Sequence, residues 1–122
     1  MPHSLSARID ARHLICALTF AFVVSAPVLP ARAAEPAAFT IEMKDHKFSP
    51  AEIRVPASTP ITLTVKNLDV TAEEFESHPL DVEKVIAGNA SATIRLKPLE
   101  KGSYTFVGEY HEDTAKGTLI AE

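Results

Sequence analysis

Apolar and polar side chains alternate along several short segments of this chain, and that period of two is the strongest constraint on its fold. Residues 61–66 show it most clearly, because threonine side chains separate Ile61, Leu63 and Val65. Alternation with this period is typical of a β-strand with one buried face. The same pattern occurs at residues 39–43, 53–55, 93–97, 104–107 and from 119 onward. No segment of comparable length has the apolar spacing of a helix, so the sequence predicts an all-β domain.

Turn-forming residues separate these segments at short intervals. They cluster at residues 49–50, 56–60, 67–69, 88–89, 98–102 and 117. Short strands with such spacing are typical of two packed sheets, so we predict a Greek-key antiparallel β-sandwich. Tyr104 follows Gly102 and Ser103, and we predict that its hydroxyl group ties a crossing connection, as in a tyrosine corner.

The N-terminal residues have the composition of a secretory signal. A basic start with Arg8 and Arg12 precedes an apolar run over residues 14–26, and residues 31–33 (Ala-Arg-Ala) match the pattern read by signal peptidase. The run is shorter than the ~20 apolar residues that a membrane span needs. We therefore predict export to the periplasm. The predicted boundaries are a cleaved signal peptide at 1–33, a short tether at 34–38 and a single small domain at 39–122.

The exported part is acidic and lacks cysteine. Cys16 lies in the apolar run, so the fold has to be stable without disulfides. Removing Asp10 from the 16 acidic residues, and Arg8, Arg12 and Arg32 from the 12 basic ones, leaves a net charge of −6. This charge disfavours nucleic acid and anionic lipid as partners, and no stable membrane insertion is predicted. The sequence has no recognisable serine nucleophile elbow and no phosphate-binding glycine loop, so no catalytic residue is predicted.

Several motifs together resemble those of the cupredoxin-like domain family. They are Lys-Phe-Ser-Pro-Ala-Glu-Ile at 47–53, Val-Pro-Ala at 55–57, Asn-Leu-Asp at 67–69, Gly-Ser-Tyr-Thr-Phe at 102–106 and Lys-Gly-Thr at 116–118. The resemblance covers the whole predicted domain and implies the cupredoxin fold. In blue-copper members a thiolate, two imidazoles and usually a thioether bind the ion.

Most of those copper ligands are replaced in this chain. The resemblance puts the first histidine at Glu73 and the cysteine at Gly108, while Thr114 and Ala115 stand where a methionine is expected. Of the usual four ligands, only His111 is retained. Because the thiolate is missing, type 1 blue copper is not expected.

Carboxylate and imidazole groups are concentrated in the two loops that carry the copper ligands of the family. Such donors suit iron, manganese or Cu(II). Glu74 and Glu76 share one face of an extended segment, with Phe75 on the other, and Glu109 and His111 are also two residues apart. Each pair has the spacing to close on one ion. The predicted ligands of an iron or copper ion are Glu74, Glu76, Glu109 and His111, followed by Glu73.

The Glu-Phe-Glu sequence at 74–76, together with Gly-Glu-Tyr-His at 108–111, resembles one branch of the family. This branch comprises the cupredoxin-like proteins of bacterial iron-uptake systems of the EfeO and Ftr types. The resemblance implies an accessory that binds iron, or oxidises ferrous iron with the help of copper. It also implies two partners, an inner-membrane iron permease and a periplasmic metal-binding protein. The cysteines that flank the motif in other members are replaced by Phe48 and Gly108.

Two other functions stay open on the sequence alone. One is a docking module that has lost its metal site and uses its acidic face, and the other is a Cu(II) carrier that uses His111, His46 and carboxylates. His46 lies between Lys44 and Lys47, whose charges disfavour another cation, so we interpret it as structural or inert. His78 is interpreted as a residue that does not bind metal.

Overall fold

The computed structural model describes residues 22–122, and residues 22–36 contain no helix or strand. Most of the predicted signal peptide lies outside the described residues, so the signal peptide stays a prediction. Within residues 22–122, no helix is long and apolar enough to cross a membrane. The strands and the single 3₁₀ helix of this part of the chain all belong to the unit Arg32–Glu122.

Nine strands follow one another in the described residues. They are β1 (Ala37–Lys44), β2 (Lys47–Ser49), β3 (Glu52–Val55), β4 (Ile61–Asn67), β5 (Glu73–Ser77), β6 (Val82–Ile86), β7 (Ser91–Leu96), β8 (Gly102–Gly108) and β9 (Lys116–Ala121). The 3₁₀ helix, Glu109–His111, directly follows β8. The alternating segments of the sequence correspond to β1, β3, β4, β7, β8 and β9, whereas alternation does not mark β2, β5 and β6.

The strands form two sheets that face each other across one core. One sheet has the order β2-β1-β4-β7 and the other the order β3-β9-β8-β5-β6. Phe48 of the first sheet makes edge-to-face contacts with Phe75 and Phe106 of the second, with ring centroids 5.9 and 5.0 Å away. The prediction of an all-β sandwich is confirmed.

Two strand pairs differ from the predicted antiparallel arrangement. β1 pairs with β4 in parallel, and β3 pairs with β9 in parallel, so both sheets are mixed. The antiparallel prediction was wrong for these pairs, because alternation fixes which face a side chain takes and is the same for either strand direction.

Apolar burial and one tyrosine hydrogen bond stabilise the sandwich. Ile61, Leu63 and Val65 are at most 1% exposed, and full burial of one such side chain contributes about 1.5–3 kcal/mol. The Tyr104 hydroxyl donates to the Glu100 carbonyl oxygen at 2.8 Å, which confirms the predicted tyrosine corner.

Three connections meet at one end of the sandwich. They are the β1–β2 turn, the loop between β4 and β5, and the 3₁₀ helix after β8. Asp69 of the loop accepts hydrogen bonds from the backbone of the turn, and Glu73 at the start of β5 accepts one from the Tyr110 N–H of the helix. The candidate ligands lie at this end.

Candidate metal centre

One side chain from the turn, one from β5 and one from the 3₁₀ helix meet in an inner cluster, which consists of His46, Glu73 and His111. One potential ligand atom of each residue lies within 4.8 Å of the other two. Bonds of about 2.0–2.2 Å from an ion to nitrogen or oxygen keep two of its ligands within about 4.4 Å of each other. The three donors are therefore close enough to bind one ion after their side chains rearrange.

Glu73 is the buried member of the inner cluster, with 4% of its surface exposed. Its Oε1 accepts hydrogen bonds from the N–H groups of Glu74 and Tyr110, at 3.0 and 2.9 Å. Its Oε2 lies 2.5 Å from Nδ1 of His111. A buried carboxylate is costly unless it is hydrogen-bonded, and these contacts hold its oxygens in place.

The two imidazoles of the inner cluster lie against each other. The ring centroids of His46 and His111 are 3.5 Å apart, and the ring planes differ by 14°. An open cleft of about 500 Å³ borders both rings. Carboxylate residues Glu109, Glu112 and Asp113 also line that cleft, so a cation approaches the imidazoles through a negatively charged opening.

The Glu73 carboxylate occupies the space that a side chain at position 108 would need, and Gly108 has no side chain. A Cβ atom on Gly108 would lie 2.8 Å from Cδ of Glu73 and 2.7 Å from Cβ of Ala115. Ala115 is itself fully buried. The position at which the family resemblance expects a thiolate is therefore filled by a carboxylate, and Ala115 offers no thioether. These residues do not fit type 1 copper, whereas the two imidazoles and the carboxylate fit a harder or borderline ion.

A second group of carboxylates forms an outer cluster, which consists of Glu74, Glu83 and Glu109. Their oxygens also lie within 4.8 Å of one another. Glu74 is only 7% exposed. Among residues 22–122, no lysine, arginine or histidine forms an ion pair with these three carboxylates. The outer cluster is thus a concentration of like charge without a cation.

Neighbouring carboxylates raise the pKa values of two outer carboxyls, Glu83 and Glu109. The pKa of Glu83 is raised by its hydrogen-bonding contact with the Glu74 carboxyl and by the charge of that group. The pKa of Glu109 is raised mainly by the charge of Glu76, and next by burial. Both shifts favour the protonated form, so a bound cation would relieve the same repulsion.

The predicted ligands are divided between the two clusters. Glu73 and His111 belong to the inner cluster, and Glu74 and Glu109 belong to the outer one. Glu109 and His111 point different ways because they lie on a 3₁₀ helix, which has three residues per turn. Glu76 is in neither cluster, and it pairs with His78, whose Nε2 lies 3.1 Å from Oε1 of Glu76.

His46 and Glu83 were not among the predicted ligands, yet they complete the two clusters. Lys44 and Lys47 are exposed and pair across the β1–β2 hairpin, with Asp45 and His46 as the two residues of its turn. The sequence feature that could have identified His46 as a candidate ligand is therefore its place in a two-residue turn between two strands. Glu83 faces Glu76 across the β5–β6 pair, a register that the weak pattern of β6 does not reveal.

The fold and the end-of-sandwich site define a protein of the cupredoxin class. The chain belongs to the cupredoxin-like domain family, whose sequence model matches residues 14–121. An uncharacterized protein of Rickettsia prowazekii (strain Madrid E) is 49% identical over 80 residues, which cover 66% of this chain. The match spans 64% of the length of that relative.

Solved structures with low sequence identity share the fold. The metal-binding domain of the Cu(I)-exporting P-type ATPase of Streptococcus pneumoniae D39, with Cu(I), aligns with a TM-score of 0.60 and 18% identity, over 70% of this chain and 84% of that domain. Auracyanin A, a blue copper protein of Chloroflexus aurantiacus, aligns with a TM-score of 0.61 and 13% identity, over 72% of this chain and 100% of that protein.

Proposed function

We propose that the chain binds a transition-metal ion through His46, Glu73 and His111 and acts as an accessory protein in iron uptake. The proximity of the three donors carries this proposal, because their ligand atoms lie within 4.8 Å of one another beside an open cleft. Proteins of this fold that bind copper, such as auracyanin A and the streptococcal domain, support a metal-binding role.

The donor set of the inner cluster favours iron over Cu(I). Two imidazoles and one carboxylate that leave coordination positions open are typical of non-haem Fe(II) sites, whereas Cu(I) prefers thiolate and thioether ligands. Gly108 and Ala115 supply no sulfur at the inner cluster. The role in iron uptake rests further on the resemblance of the 74–76 motif to the EfeO and Ftr branch.

In this role the protein works in the periplasm. It captures iron near its acidic opening and delivers it to a periplasmic metal-binding partner or to the inner-membrane iron permease. Oxidation of ferrous iron in this setting requires a bound copper ion or another electron acceptor. Glu74, Glu76 and Glu109 stay predicted ligands, for an ion at the outer face of β5.

Calorimetric titration of the metal-free protein tests the binding step. Fe(II) and Mn(II), added without oxygen, are expected to bind in one-to-one ratio with Kd below ~100 μM, or about −5.5 kcal/mol. His46→Ala and His111→Ala should each weaken binding at least tenfold. His78→Ala is the matched control, since it removes an imidazole that is 92% exposed and outside the inner cluster.

Unchanged affinity in both inner variants would overturn the inner site. Loss of binding in a Glu74→Gln/Glu109→Gln variant, with the inner variants unaffected, would assign the ion to the outer cluster instead. The uptake role is tested in cells that lack the protein, which should take up iron slowly at low external iron. Wild-type protein should restore uptake, and the His46→Ala/His111→Ala variant should not.

A Cu(II) carrier is the second candidate, and the pair of imidazoles favours it. Divalent copper binds a given nitrogen and oxygen site more tightly than Fe(II) or Mn(II) does, so tighter Cu(II) binding alone does not decide between the two functions. Restoration of copper tolerance, and not of iron uptake, in the deleted cells would favour the carrier. If no ion binds, the function that remains is that of a docking module, which uses its acidic face to bind a partner protein.

A further inference from the structure

We infer that Asp69 is a positioning residue for the inner cluster, because it fixes the β1–β2 turn so that the His46 imidazole lies against His111. The part of this inference that concerns metal affinity rests on the proposed function. The part that concerns the placement of His46 applies to the metal-free protein.

The β1–β2 turn has a hydrogen-bonding partner outside its own hairpin. Both of its residues have left-handed backbone conformations, with φ of 50° at Asp45 and 56° at His46. Positive φ at both central residues is typical of a two-residue hairpin turn, and Asp and His adopt it more readily than most residues with a side chain. Asp69 accepts the N–H of Asp45 on Oδ1 at 2.8 Å and the N–H of His46 on Oδ2 at 3.0 Å. One carboxylate thereby satisfies both donors of the turn.

Asp69 is itself held by a hydrogen-bond network that includes the buried side chain of Asn67. Its N–H donates to Oδ1 of Asn67 at 3.1 Å, and its carbonyl oxygen accepts the N–H of Asn89 at 2.8 Å. Asn67 is 1% exposed and donates from Nδ2 to the carbonyl oxygens of Thr71 and Ile86. The carboxylate of Asp69 is therefore anchored to buried structure, while its oxygens point at the turn.

Asp69 acts on His46 through the backbone and leaves the ring available. Nδ1 of His46 lies 3.6 Å from Oδ2 of Asp69, which is longer than a hydrogen bond. The hydrogen bond from the His46 N–H is the main cause that keeps the pKa of Asp69 below its ordinary value. Among residues 22–122, no hydrogen bond occupies a ring nitrogen of His46, and Nδ1 makes only this longer charge contact with Asp69.

The first test uses NMR of the histidine rings in the metal-free protein. Rings stacked at 3.5 Å shift each other's proton signals, so Asp69→Ala should move the His46 and His111 ring signals toward those of a free imidazole. Asp45→Asn is the matched control, because it removes a charge from the same turn and keeps both hydrogen bonds to Asp69. Asp69→Asn preserves the shape of the side chain and one acceptor oxygen, so it should give a smaller change than Asp69→Ala. It replaces the alanine variant in this test if that variant folds poorly. Ring signals unchanged in both Asp69 variants would overturn the inference.

The second test is a double-mutant cycle on metal affinity, with Mn(II) as the probe. Asp69→Ala should weaken binding at least tenfold in the wild-type background and have no further effect in the His46→Ala background. An equal loss in both backgrounds would show that Asp69 stabilises the protein without positioning His46. If the wild type binds no Mn(II), the proposed function fails for that ion, and the ring signals still decide whether Asp69 places His46.

Discussion

Glu73 and Glu74 are neighbours in β5, yet their carboxylates belong to different clusters and have different surroundings. Glu73 meets two backbone N–H groups and an imidazole, whereas Glu74 meets two other carboxylates. Both are almost completely buried, at 4% and 7% exposure. The difference shows that two buried carboxylates can have opposite electrostatic surroundings, because the inner carboxylate is matched by donors and the outer one is opposed by like charge.

The largest difference between the clusters is expected in how much each carboxylate contributes to the free energy of unfolding. Glu73→Ala removes the acceptor of two N–H groups and of His111, so the free energy of unfolding should fall by about 3 kcal/mol. Glu74→Ala removes a repelled charge together with some packing, and it should cost less than about 1 kcal/mol. Urea unfolding of both variants measures this, and equal losses would contradict the contrast.

The second-largest difference is expected in how much a bound metal ion stabilises variants of each cluster. An ion at 100 times its Kd stabilises the folded state by about 2.7 kcal/mol. The Glu74→Gln/Glu109→Gln variant should keep this gain, and the His46→Ala/His111→Ala variant should lose it. Thermal unfolding with and without Mn(II) is the measurement, and the reverse pattern would move the site to the outer cluster.

Gly108→Ala should affect the inner cluster by overpacking. The added Cβ would meet Glu73 and Ala115 at less than 3 Å, so a loss of about 2 kcal/mol in unfolding free energy is expected. Ala115→Gly in the same chain removes one of the two clashes, and it should reduce the added cost of the alanine at 108. A Gly108→Ala variant as stable as wild type would show that the space beside Glu73 is not limiting.

The smallest effect is expected from charge removal in the outer cluster. The pKa of Glu83 is raised in the folded protein, so at neutral pH its charge destabilises the fold, and this penalty disappears as pH falls below the ordinary carboxyl range. Glu83→Gln should therefore raise Tm slightly at pH 7 and have no effect near pH 3. A Glu83→Gln variant with lower Tm at pH 7 would contradict the repulsion.

Local sequence patterns specify the strands of this fold more fully than they specify how the candidate ligands are grouped. Alternation in residues 61–66 specifies a strand, and this strand is confirmed as β4. The Gly-Ser-Tyr sequence at 102–104 predicts a tyrosine corner, which is confirmed by the hydrogen bond of Tyr104. The parallel pairing of β1 with β4 depends on contacts between distant strands, which no local pattern records. The division of the predicted ligands depends on the 3₁₀ helix at 109–111, since an extended segment there would have kept Glu109 and His111 on one face.

Electron paramagnetic resonance of the protein with one equivalent of Cu(II) tests most directly whether an ion occupies the inner cluster. The spectrum should show hyperfine coupling to two imidazole nitrogens, and His46→Ala and His111→Ala should each remove one of them. Glu74→Gln/Glu109→Gln should leave the spectrum unchanged. A spectrum with oxygen ligands alone, or one unaffected by loss of His46 and His111, would contradict the inner site.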